Sequence, residues 1–84
     1  MKVKFIPYGL YEKCIDVVSD FIESGGIAAY YTNYMTYEKQ IVSAWAAVDL
    51  AFSDRSTIFF EKQGNKYKIC VNVDTDEVSM KIED

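Results

Sequence analysis

The stretch Ser56-Thr-Ile-Phe-Phe-Glu-Lys-Gln-Gly-Asn-Lys-Tyr-Lys-Ile-Cys-Val-Asn-Val-Asp-Thr-Asp-Glu-Val-Ser-Met-Lys-Ile-Glu83 decides the fold, because it reads as a three-stranded antiparallel meander. Gly64-Asn65 forms a two-residue loop that accepts positive φ and closes a tight hairpin. That loop places Phe60 opposite Ile69 and Ile58 opposite Val71. A second turn, Asp74-Thr75-Asp76-Glu77, places Val73 opposite Val78, Val71 opposite Met80 and Ile69 opposite Ile82. Side chains alternate along a strand with period two. Both turns therefore send Ile58, Phe60, Ile69, Val71, Val73, Val78, Met80 and Ile82 to one face. A slip of one residue would turn them to water.

The opposite face carries Thr57, Phe59, Glu61, Lys66, Lys68, Cys70, Asn72, Ser79, Lys81 and Glu83. It is mostly polar, as suits an antiparallel sheet with one wet side. Glu61 is expected opposite Lys68, a charge pair worth roughly a few tenths of a kcal/mol. Phe59 is the apolar exception. It reads as a ring lying across the strand beside Cys70, or alternatively as an exposed contact residue.

Earlier in the chain, a strand is expected over 2–6, alternating Lys2 and Lys4 with Val3 and Phe5 until Pro7 ends it. A helix follows from about Leu10 to Ser24. Leu10, Tyr11, Cys14, Ile15, Val17, Val18, Phe21 and Ile22 form its apolar stripe, and Gly25-Gly26 its left-handed stop. Residues 27–36 fit an extended segment, a short helix or the first turns of the next helix. A second helix is expected from Thr36, with Thr36 as cap and Glu38 in the first turn. Tyr37, Ile41, Trp45, Val48 and Phe52 form its stripe, and Ala44, Ala47 and Ala51 a small flank; Ser53-Asp54-Arg55 closes it. The expected fold is α+β, one domain over 1–84, in the order β-α-α-β-β-β. Two helices pack on one face of a four-stranded, mostly antiparallel sheet, and no internal repeat is read.

Composition narrows the function classes. The chain has 84 residues, half of them hydrophobic, enough for a modest core without metal or disulfide staples. A net charge of −4 argues against direct nucleic-acid binding. Cys14 and Cys70 lack metal-type spacing and read as reduced thiols of a cytoplasmic protein. No apolar run is long enough to span a bilayer, and no signal peptide is read. There is no histidine, which excludes Ser-His-Asp and Cys-His arrangements and imidazole metal ligands. No glycine-rich phosphate loop opens a helix. Asp74-x-Asp76-Glu77 lacks the remaining ligands of a calcium loop and reads as turn-forming. Asp16 and Asp20, one helical turn apart, read as solvated. No enzymatic activity, metal or cofactor is expected.

Two features stand above this background. Tyr30, Tyr31, Tyr34 and Tyr37 cluster within eight residues, and in a helix Tyr30, Tyr34 and Tyr37 would share a face. Tyrosine supplies large contact area at low entropic cost, though a core margin uses it equally well. Glu12, Asp16, Asp20 and Glu23 recur at helical spacing and form an acidic stripe, which either meets a basic partner or simply solvates the helix. In size, acidity and tyrosine content the chain resembles phage-encoded inhibitors of host defence nucleases, anti-CRISPR proteins included. The resemblance is one of size and style and assigns no residue roles.

The leading expectation is a non-catalytic protein-binding module, an inhibitor that presents Glu12, Asp16, Asp20, Glu23, Tyr30, Tyr31 and Tyr34 to a basic host protein. The alternative is a small-molecule or peptide binder with an aromatic pocket between helix two and the sheet, lined by Tyr37, Trp45 and Phe60. A third reading is a sheet-face nucleic-acid binder using Phe59, Lys66, Lys68 and Lys81; the net charge opposes it. A homodimer through a free edge at the last strand is also expected.

Overall fold

The computed structural model describes residues 8–52 and 58–83. The strand expected over 2–6 and the helix stop at Ser53-Asp54-Arg55 lie outside the described residues. In chain order the elements are α1 (Tyr8–Glu23), β1 (Ile27–Asn33), β2 (Glu38–Ile41), α2 (Ala44–Ala51), β3 (Ile58–Lys62), β4 (Asn65–Asn72) and β5 (Glu77–Ile82). The five strands form one sheet in the order β2-β1-β3-β4-β5, every neighbouring pair antiparallel.

The spacing of its apolar residues dictates how α1 lies. Leu10, Cys14, Val18 and Phe21 recur at four, four and three residues and are all buried. The acidic residues Glu12, Asp16, Asp20 and Glu23 follow the same rhythm two positions later, on the opposite side, and are exposed. The helix stops as its glycines predict. Gly25 has φ +106°; its N–H donates to the Ile22 carbonyl at 3.1 Å and that of Gly26 to Phe21 at 3.0 Å.

The second helix is shorter and later than its hydrophobic spacing predicts. Residues 27–41 form the hairpin β1–β2, so the sheet has five described strands rather than four in all. Thr36 falls in the hairpin turn, and Ser43 caps α2 instead, its hydroxyl accepting from the Ala46 N–H at 3.3 Å. The expected stripe is thereby broken. Val48 is buried, while Tyr37, Ile41 and Trp45 are exposed. Ile41 and Trp45 match helical spacing by coincidence, since Ile41 is the last residue of a strand. The flank of small residues is the packed one, with Ala47 buried and Ala44 at the core margin.

Both hairpins of the meander slide by two residues from the expected register. Phe60 faces Tyr67 rather than Ile69, Glu61 faces Lys66 rather than Lys68, and Val71 faces Val78 rather than Met80. The first turn is Gln63-Gly64, with φ 51° and 81°. Glycine is thus in the second central position, where the mirror-image turn most favours it, and Asn65 pairs with Lys62. In the second hairpin, Val73 leaves the strand for the turn and is exposed. A slip of two preserves parity, so the inward face survives. Ile58, Phe60, Ile69, Val71, Val78 and Met80 pack toward α1 and α2, joined by Tyr67. Phe21 of α1 meets the rings of Phe60 at 6.1 Å and Tyr67 at 5.0 Å, both edge-on.

Candidate functional site

One turn is built twice. Asn33-Tyr-Met-Thr-Tyr-Glu38 connects β1 to β2, and Asn72-Val-Asp-Thr-Asp-Glu77 connects β4 to β5. In each the asparagine pairs with the glutamate across the hairpin. Asn33 Oδ1 accepts from the N–H groups of Met35 (2.9 Å) and Thr36 (3.3 Å). Asn72 Oδ1 accepts from Asp74 (3.0 Å) and Thr75 (3.4 Å). The last loop residue is left-handed in both, Tyr37 at φ 58° and Asp76 at φ 57°. The shared pattern Asn-x-x-Thr-x-Glu is a short internal repeat, where none is expected from the sequence.

The two copies differ in what they carry. The β4–β5 copy is Val-Asp-Thr-Asp, an ordinary polar turn apart from Val73. The β1–β2 copy holds Tyr34, Met35 and Tyr37 at 57%, 91% and 73% exposure. Behind them, Tyr31 stacks on Phe59 with centroids 4.9 Å apart and planes 28° apart, and also meets Tyr34 at 5.4 Å and Tyr37 at 6.1 Å. Lys39 Nζ is 5.8 Å from the Phe59 centroid and 3.5 Å from Glu61 Oε1. Ala29, paired with both Phe59 and Ile41, is fully buried, so side chains cover the sheet face away from the helices at this point.

The tyrosines divide between the two faces. A helix would have grouped Tyr30, Tyr34 and Tyr37. In the strand, period two instead sends Tyr30, paired with Ile58, to the helical side, and the ring contacts gather Tyr31, Tyr34 and Tyr37 on the other. The acidic stripe of α1 is on the helical side. Glu12, Asp16, Asp20 and Glu23 thus do not share a patch with Tyr31 and Tyr34. The expected pocket is likewise not assembled, because Phe60 is buried in the core and Tyr37 projects from the turn. Phe59, expected beside Cys70 or as an exposed contact residue, stacks on Tyr31 as part of the aromatic cluster. Lys66, Lys68 and Lys81 are exposed, and Lys68 stands directly opposite Lys81.

Trp45 lines a different hollow. An open groove of about 780 Å³ runs between α2 and the β1–β2 hairpin, lined by Tyr30, Tyr31, Val42, Trp45, Ala46, Asp49 and Leu50. Asp49 Oδ1 accepts a hydrogen bond from the Tyr11 hydroxyl, tying α2 to α1. That bond, with partial desolvation and the carboxylate charge, pushes the Tyr11 pKa up to about 12. Burial likewise raises the Cys14 thiol. Among the described residues no group of acids or cysteines is arranged to hold a metal, and no helix is long and apolar enough to cross a membrane. Comparison with protein-family models, curated proteins and solved structures found no match.

Proposed function

We propose that the protein is a non-catalytic protein-binding module whose contact surface is the β1–β2 turn with the aromatic cluster behind it. One observation carries this reading. The same turn is made elsewhere in the chain from Val-Asp-Thr-Asp, so folding does not demand Tyr34, Met35 and Tyr37. Their exposed apolar surface, on a turn that a polar sequence also makes, suits binding. Tyrosine and methionine are enriched at protein interfaces, and a left-handed, bulky Tyr37 is the kind of strain that functional sites retain. Ile41 at the outer strand extends the patch.

The acidic stripe does not help the turn directly. The molecule is 24 Å across its shortest axis, whereas exposed charges are screened over about 8 Å at physiological ionic strength. An inhibitor that grips a basic protein through Asp16, Asp20 and Glu23 would therefore use a second, separate surface.

One capture experiment from the native host distinguishes the surfaces. The variant Tyr34→Val, Met35→Asp, Tyr37→Asp rewrites 34–37 in the image of 73–76 and leaves the turn intact. The variant Asp16→Lys, Asp20→Lys, Glu23→Lys reverses the stripe. A partner lost with the first and kept with the second supports the turn. A partner kept by the rewritten turn, or no partner for the unaltered chain, overturns it.

A further inference from the structure

We propose that the groove between α2 and the β1–β2 hairpin is a binding site for a small organic ammonium ion with an apolar, aromatic-sized body. This goes beyond the protein-binding reading: the groove shares Tyr31 with the turn cluster, but Val42, Trp45 and Asp49 stand outside that cluster. Its volume of about 780 Å³ falls within the range of pockets that take small ligands. Val42, Leu50, Tyr30 and Trp45 give it an apolar and aromatic wall, and Trp45 is 61% exposed. An apolar body fits that wall.

The charge is set by Asp49. It is the one ionisable carboxylate of the lining, and the Tyr11 hydroxyl occupies its Oδ1. Among the described residues the one ion pair is Lys39–Glu61, and no described lysine pairs with Asp49. Among the described residues no second donor joins Tyr11 at this carboxylate. An anion would be repelled there and a neutral body would leave the charge unanswered. An ammonium group donates to it while the Tyr30 and Trp45 rings favour a cation beside them.

Three probes of one shape and different charge test this: 2-phenylethylammonium, 2-phenylethanol and 3-phenylpropionate. Trp45 is the sole tryptophan, so its emission, excited selectively, follows each titration. The ammonium ion should bind about fivefold tighter than the alcohol, the scale of one exposed ion pair, and the carboxylate weakest. Asp49→Asn keeps an acceptor for Tyr11 and should bring the ammonium ion down to the affinity of the alcohol. Amide shifts in the unaltered protein should centre on Tyr30, Val42, Trp45 and Asp49, a measurement that stands whether or not the variant folds. Equal binding of the three probes, no binding of the ammonium ion, shifts centred elsewhere, or a preference that survives in a folded Asp49→Asn protein each overturns the proposal.

Discussion

Tyr37 and Asp76 occupy the same left-handed position in two copies of one turn, at φ 58° and 57°. Aspartate tolerates that conformation, whereas for tyrosine it costs on the order of 1–2 kcal/mol. The ring of Tyr37 meets Tyr31 at 6.1 Å, an edge contact worth roughly 0.5–1.5 kcal/mol, which offsets part of the strain. The chain therefore keeps an exposed aromatic at a position where a small polar residue folds at least as well.

Two substitutions at Tyr37 separate backbone strain from ring contact. Tyr37→Ala and Tyr37→Asn both lose the ring, but only asparagine is at ease with positive φ. The asparagine variant should be the more stable by about 0.5–1 kcal/mol, read as a higher urea midpoint at unchanged slope. Equal stabilities would mean that the turn relaxes out of the left-handed state when the ring is removed.

Gly26 and Gly9 give a second contrast. A Cβ on Gly26 would lie 2.4 Å from Cε2 of Phe21, a ring already held against Phe60 and Tyr67. The ring has no free direction, so Gly26→Ala should cost about 1–3 kcal/mol as overpacking. Nothing stands within 4 Å of a Cβ on Gly9, which lies in the first turn of α1. Gly9→Ala should be neutral or add up to about 0.5–1 kcal/mol. Chemical unfolding of the two variants should move the midpoint in opposite directions or leave Gly9→Ala unmoved.

Much of the fold was legible because parity is robust. The inward face of the meander is readable even though each turn lies one residue earlier than expected, since that displacement shifts the pairing by two and an even slip keeps every side chain on its face. Helix α1 was legible because its apolar and acidic rhythms run in step two residues apart. The β1–β2 hairpin was not. Ile41, Trp45, Val48 and Phe52 satisfy a helical period across a strand end, a cap at Ser43 and a short helix, and periodicity alone does not see the break. The signal that would have found it was the second Asn-x-x-Thr-x-Glu. The groove was hidden for another reason: Tyr11 and Asp49 stand 38 residues apart, and only the packing of α1 on α2 joins them.

The two cysteines should react differently. Cys14 is fully buried and its thiol is pushed up by burial, which withholds the thiolate that attacks alkylating reagents. Cys70 is half-exposed. Iodoacetamide at pH 8 should modify Cys70 alone in the folded protein and both residues in urea. Rapid modification of Cys14 without denaturant would show that α1 opens from the sheet far more readily than its packing implies.

The Tyr11–Asp49 bond ties α1 to α2, and its strength should depend on pH in one direction only. The phenol pKa is raised from 10.0 to about 12, chiefly because the neutral hydroxyl donates to the Asp49 carboxylate, then by desolvation and last by the like charge a phenolate would face. A raised folded-state value means that the contribution is fully present below the unfolded value near pH 10 and is lost as pH climbs through about 12. Stability should therefore fall across that window more steeply in the unaltered protein than in Tyr11→Phe, with the two curves parallel below it. The absorbance difference between the two proteins at 295 nm isolates Tyr11 from the other tyrosines and should show a midpoint near 12. Asp49→Asn removes the carboxylate charge while leaving an acceptor, so the midpoint should move down toward the ordinary phenol value. A midpoint near 10 in the unaltered protein would mean that the bond does not hold in solution and that α1 and α2 are joined by packing alone.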